Sequence, residues 1–130
     1  MHDKHLHNNY CERTREILNR VGDKWSLLVI SALAEGPKRY VDIRRSTSGI
    51  SQRMLTLTLR LLERDGIVMR TPLDTIPLSV SYELTSLGLS LVETVRSLTK
   101  WARTHDTEIG DAHMRYDRTK EREKTGIKLR

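Results

Sequence analysis

The chain has 130 residues, with 23 Lys and Arg against 17 Asp and Glu and a formal net charge of +6. That length supports one domain with a single core, and the positive balance favours a polyanionic partner, with nucleic acid and an acidic membrane surface as the candidates. No apolar run reaches the roughly 18 residues of a spanning helix, and His2, Asp3, Lys4, His5 and His7 stand where a signal peptide would be apolar, so a cytoplasmic protein with no membrane partner is expected.

In chain order, residues 1–11 read as a flexible arm. His2, His5 and His7 lack converging third and fourth ligands, so neither a metal site nor a cofactor is expected. Cys11 is the only cysteine, which excludes an internal disulfide and suits a reducing compartment. It stands just ahead of an expected helix start, beside Arg13 and Arg15, where the helix dipole and those cations would favour the reactive thiolate. Cys11 is therefore a candidate sensor for a small electrophile or oxidant, against the plainer reading of an unreactive thiol near a dimer interface. Two scaffold helices follow. Residues 12–21 put Ile17, Leu18 and Val21 on one face, and residues 24–34 put Trp25, Leu28, Val29, Ala32 and Leu33 on another, with Gly22 and Asp23 breaking and capping between them.

From Val41 to Gly66 the pattern is a helix, a turn and a longer helix. Tyr40 and Ile43 lie one helical turn apart, and Ser46, Thr47, Ser48 and Gly49 supply turn residues. Ser51 is a favoured N-cap, Gly66 a favoured stop, and Leu55, Leu59 and Leu62 form one buried stripe. Arg53, Leu57, Arg60 and Arg64 fall on the opposite face, which reads either as a solvated charge run or as a DNA-groove surface. Two short strands follow, Ile67 to Arg70 and Val80 to Leu84, the second with Val80, Tyr82 and Leu84 inward. Thr71 to Ser79, carrying Pro72, Asp74 and Pro77, is expected as the loop between them. A hairpin directly after a reader helix is a wing. The fold class is thus mainly α with a small β-hairpin wing (α+β), a winged helix-turn-helix over 12–106.

Beyond the wing, Thr85 caps a long helix in which Gly88, Leu91, Val95, Leu98 and Ala102 recur in steps of three and four. Leu91, Val95, Leu98, Trp101 and Ala102 are read as half of a homodimer interface. The competing reading folds this helix back on its own domain. Residues 107–130, highly charged with few apolar side chains, are expected to be a mobile tail.

Four stretches together resemble the HxlR-type bacterial transcriptional regulators: Gly22-Asp23-Lys24-Trp25-Ser26-Leu27-Leu28, Gly36-Pro37-Lys38-Arg39-Tyr40, Gly49-Ile50-Ser51-Gln52-Arg53-Met54-Leu55-Thr56 and Val80-Ser81-Tyr82-Glu83-Leu84-Thr85. The likeness covers about residues 13–105. It implies a winged-helix homodimer, related to the MarR-type regulators and dimerising through N- and C-terminal helices, that binds an inverted-repeat operator as repressor or activator. It also implies that some members sense electrophiles or oxidants through an N-terminal cysteine. The chain departs from the usual pattern at Leu57, Thr58 and Ser79, and in having Glu12 after Cys11 where a Cys-Pro pair is common.

In a recognition helix the N-terminal residues reach base edges first, so Ser51, Gln52, Arg53, Thr56 and Leu57 are expected in the major groove of double-stranded DNA, with Arg44, Arg45, Arg60 and Arg70 on phosphates. An enzyme is not expected: there is no glycine-rich phosphate loop, and no histidine stands between residue 7 and His105 to build an acid-base set. The remaining alternative is a winged helix used as a protein-interaction or RNA-binding module.

Overall fold

The computed structural model describes residues 4–126, with side chains over 11–126. The elements are α1 (Lys4–Gly22), α2 (Lys24–Leu33), β1 (Lys38–Arg39), α3 (Tyr40–Ser46), α4 (Gln52–Arg64), β2 (Val68–Leu73), β3 (Ser79–Leu84), α5 (Ser86–Thr104) and α6 (Asp106–Lys124). They fall into two compact units that divide inside α5, the first ending at Arg96 and the second starting at Ser97. Among the described residues no helix is long and apolar enough to cross a membrane.

Local chemistry sets the element boundaries of the first unit. Asp23 caps α2, its carboxylate accepting the Ser26 N–H at 3.1 Å, and Ser51 caps α4 by accepting the Met54 N–H at 3.1 Å. The turn before α4 passes through Gly49 at φ 87°, and α4 ends at Gly66 at φ 77°, a left-handed conformation that any side chain would strain. The Thr85 hydroxyl accepts the Gly88 N–H at 3.1 Å and donates to the Gly66 carbonyl, so one side chain caps α5 and ties it to the end of α4.

The core joins Val29, Ile30 and Leu33 of α2, Ile43 of α3, Leu55, Leu59 and Leu62 of α4, Tyr82 and Leu84 of β3, and Val95 of α5. The sheet is antiparallel in the order β1-β3-β2, with Lys38 opposite Tyr82, and with Val68 opposite Leu84 through Leu73 opposite Ser79. Strand β2 continues through Pro72, a position expected in the loop. As an outer strand β2 has a neighbour on one side only, so a missing N–H is tolerated there.

Several expectations are corrected. The arm expected over 1–11 is helical from Lys4, so Cys11 lies within α1 and not ahead of its start, and the dipole argument for its reactivity does not hold at that position. His2 and the side chains of His5 and His7 lie outside the described residues. In α2 the buried stripe runs through Ser26, Val29, Ile30 and Leu33, and Leu28 is exposed. That helix is apolar around most of its circumference, so periodicity alone does not fix the buried face. The stretch from 107, expected as a mobile tail, forms α6. Val95 is 2% exposed and belongs to the core of its own domain, with Leu91 packed against it, so the first half of the expected dimer seam faces inward. A three-four spacing marks a buried stripe without saying which partner buries it, and the Thr85 cap ties the start of α5 to the end of α4 in the same chain. In the second unit, Leu98, Trp101 and Ala102 of the same helix are exposed.

The close approach of α5 to Ile67, the residue leading into β2, rests on Gly88. A Cβ there would lie 2.3 Å from the Ile67 carbonyl oxygen, a backbone atom with no freedom to move aside, whereas at Gly22 a Cβ would meet nothing within 4 Å. Gly88→Ala should therefore destabilise the fold by roughly 1–3 kcal/mol through overpacking. Gly22→Ala should be neutral or slightly stabilising, because alanine is the better helix former. Urea unfolding of both variants checks the contrast.

Candidate nucleic-acid interface

Burial of Leu55, Thr58, Leu59 and Leu62 fixes the rotation of α4 about its axis. At about 100° per residue the opposite face carries Arg53, Leu57, Arg60 and Arg64, and all four are exposed. The expected base-reading residues Ser51, Gln52, Arg53, Thr56 and Leu57 are all exposed on the first two turns or the cap. Arg44 and Arg45 are exposed at the end of α3, and Arg70 is exposed on β2 of the wing. The structure thus gathers these side chains on the α3–turn–α4 unit and the adjoining hairpin. Arg45 is held by Asp42 at 3.6 Å, and Arg39 shares that carboxylate at 3.8 Å.

Not every member of this set is equally available. The Ser51 hydroxyl is engaged as the α4 cap. Leu57 sits on the flank of α4 with Met54 and Leu61, lining a shallow hollow with Asn19 and Asp23. Arg64 turns to α1, where Glu16 accepts from it at 3.0 Å. The outward arginines of α4 are therefore Arg53 and Arg60.

Tyr40, whose spacing to Ile43 marks it as an apolar-face position, also contributes a polar contact to the site. Its hydroxyl donates to the Gln52 carbonyl at 3.0 Å and lies 3.0 Å from the Thr56 hydroxyl, which is left to act as donor toward it. One phenol thus ties the start of α3 to the first turn of α4. The signal was present, since tyrosine alone among the apolar-face residues of α3 carries a hydrogen-bonding tip.

Two ion pairs hold the far end of α4. Arg20 Nε donates to Asp65 Oδ2 at 2.6 Å, with the side chains only 15% and 4% exposed, and Arg64 meets Glu16 alongside. Glu16 also lies 3.7 Å from Arg20, so one face of α1 grips the end of α4 through four charged groups. Among the described residues no group of three His, Cys, Asp or Glu side chains converges to hold a metal ion.

Helix α3, the Gly49 turn, α4 and the β2–β3 hairpin define a winged helix-turn-helix, the fold of many transcriptional regulators. The chain belongs to the HxlR-like helix-turn-helix family, whose model matches residues 20–109. It is 38% identical over 96 residues to the uncharacterised HTH-type transcriptional regulator YtfH of Escherichia coli K12, covering 74% of this chain and 76% of that one. Among solved structures, the transcriptional regulator YtfH of Salmonella typhimurium superimposes with a TM-score of 0.73 at 33% identity, over 78% of this chain and 90% of that one. The redox regulator HypR in its oxidised form gives 0.65 at 37% identity, over 71% of this chain and 95% of that one. This protein is thus a helix-turn-helix transcriptional regulator.

The two ion pairs at the end of α4 differ sharply in burial, and their removal should differ likewise. Arg20→Ala leaves the Asp65 carboxylate buried without its cation and should cost about 3 kcal/mol. Arg64→Ala breaks a pair whose side chains are 69% and 51% exposed and should cost under about 1 kcal/mol. Chemical denaturation of the two variants gives the comparison.

Proposed function

We propose that this chain acts in the cytoplasm as a homodimer that binds an inverted-repeat operator in double-stranded DNA and responds to oxidants or electrophiles through Cys11. The observation that carries the DNA reading is the open face of α4, where Gln52, Arg53 and Thr56 stand near the cap and Arg60 one to two turns on, flanked by Arg44, Arg45 and Arg70. Guanidinium groups in that arrangement suit guanine edges at the helix start and phosphates beyond it. Helix α4 itself carries no aromatic side chain to stack unpaired bases, and the neighbouring Tyr40 phenol is engaged with Gln52 and Thr56, which favours duplex DNA over single-stranded RNA. A two-fold dimer matches a palindromic site, and the exposed Leu98 and Trp101 are the apolar side chains of α5 that support it.

The redox reading draws on the likeness to HypR and on the position of Cys11. Cys11 is half-buried on α1, the helix that also carries Glu16 and Arg20 and through them holds the end of α4. A displacement of α1 is in this way passed to the reader. Oxidation of two Cys11 thiols, one from each copy, would form an interchain disulfide, with the oxidant taking up two electrons and two protons.

Two measurements bear on these roles. Arg53→Ala should weaken operator binding by roughly 1–3 kcal/mol and relax base preference, while Arg60→Ala should weaken operator and random duplex alike and lower the salt slope by about one. Equal losses for Arg53→Ala on both duplexes would move that residue to the phosphate class. For the sensor, diamide should release wild-type protein from the operator and leave Cys11→Ser bound. Equal behaviour of the two proteins, in either direction, would remove Cys11 from the response.

A further inference from the structure

Between the end of α1, the start of α2 and one flank of α4 lies a hollow of about 260 Å³, just below the usual volumes of small-molecule sites. Its size suits a single ring. The wall is apolar, formed by Met54, Leu57 and Leu61, whereas the floor is polar. Ser26 and Thr58 are only 2% and 3% exposed, yet both open into the hollow, and the Thr58 hydroxyl makes no hydrogen bond to any described residue. A threonine hydroxyl in a helix can turn back to the carbonyl four residues earlier, as Thr119 does to Arg115 at 3.0 Å. That of Thr58 does not. A nearly buried hydroxyl without a protein partner costs stability unless something in the hollow meets it.

Donors and acceptors around the hollow are unbalanced. Asp23 accepts the Ser26 N–H at 3.1 Å and the Ser26 hydroxyl at 3.5 Å, both on Oδ2, and its carboxylate has no cation partner among the described residues. Arg20 is the one lining side chain that can only donate, and its charge is already met by Asp65 at 2.6 Å and Glu16 at 3.7 Å. What remains is a surplus of acceptors, namely Asp23 Oδ1, the Asn19 amide oxygen and the Thr58 hydroxyl oxygen. We propose that the hollow binds a small organic ammonium ion, with its N–H groups on Asp23 and Thr58 and its apolar body against Met54, Leu57 and Leu61. The net charge of +6 repels such an ion at a distance, but salt at physiological strength screens that field beyond about 8 Å. Leu57 also belongs to the expected base-reading set, so an occupant that draws it into the hollow contends with DNA for one side chain. Each ligand then lowers the affinity for the other by the same factor. That consequence rests on the operator reading, while the binding itself does not.

The probe is benzylammonium, titrated calorimetrically into the full chain, with benzyl alcohol as its uncharged counterpart. Benzylammonium should saturate with a Kd of about 1 mM or tighter, within reach of so small a ligand, and benzyl alcohol should bind roughly tenfold more weakly because it brings no charge to Asp23. Asp23→Asn keeps the cap of α2, since asparagine caps as well as aspartate. It should weaken benzylammonium roughly tenfold and change benzyl alcohol little. Thr58→Val keeps the shape and removes only the hydroxyl, so benzylammonium affinity should fall severalfold while the urea midpoint stays unchanged or rises. A hydroxyl that served the fold alone would lower the midpoint and spare the binding. On protein saturated with operator duplex, benzylammonium affinity should also fall severalfold. A chain that binds no operator counts against the operator reading and not against the hollow, which titration of the free chain tests alone. The proposal is overturned by benzylammonium that does not saturate, by Asp23→Asn or Thr58→Val chains that bind it as the wild type does, or by an unchanged affinity on operator-bound protein.

Discussion

The structure depends on one constraint, the burial of the Leu55, Leu59 and Leu62 stripe beneath α4. Each of these side chains is worth about 1.5–3 kcal/mol when taken fully out of water, and together they exceed any surface charge contact on the same helix. A slip of one residue would turn α4 by about 100° and drive Thr56, Arg60 and Glu63 toward the core. The rotation of the reader is therefore set from below, by hydrocarbon. The residues offered to a partner are those left over.

Rotation alone does not position a helix, and its two ends are held by different chemistry. At the N-terminal end Tyr40 bonds to a backbone carbonyl and a hydroxyl of α4, neutral contacts that tie α3 and α4 into one body. At the C-terminal end the connection is ionic and reaches α1, through a buried Arg20–Asp65 pair and a more exposed Arg64–Glu16 pair. The first end is bonded within the helix-turn-helix itself. The second end is bonded to α1, the helix that carries Cys11.

Much of this was legible in the sequence wherever a residue's own chemistry dictates its place. Ser51 and Thr85 cap because their hydroxyls suit open N–H groups, Gly49 and Gly66 take positive φ because other residues resist it, and alternation in β3 buries Tyr82 and Leu84. The rest depends on partners far along the chain. Strand β1 is two residues long, too short for any period, and exists because Tyr82 and Ser81 pair with it. The buried face of α2 is chosen by α4 and not by its own nearly uniform apolar surface. Helix α6 was missed because its charge was read as an inability to pack, although Glu, Lys and Arg are good helix formers and no proline interrupts the stretch. In the site, the arginines on α4 were visible, but the loss of Arg64 to Glu16 and the bridge from Tyr40 needed the third dimension.

Strand β2 also bears on the behaviour of the protein at high local concentration. An outer strand presents unpaired N–H and C=O groups along its edge, and a strand from another chain can add to that row. The hazard grows wherever copies of a regulator gather on neighbouring sites and their hairpins are brought close. Pro72 has no N–H to offer such a strand, and its ring obstructs a flat approach. The outer edge of the hairpin is thereby a poor template for aggregation.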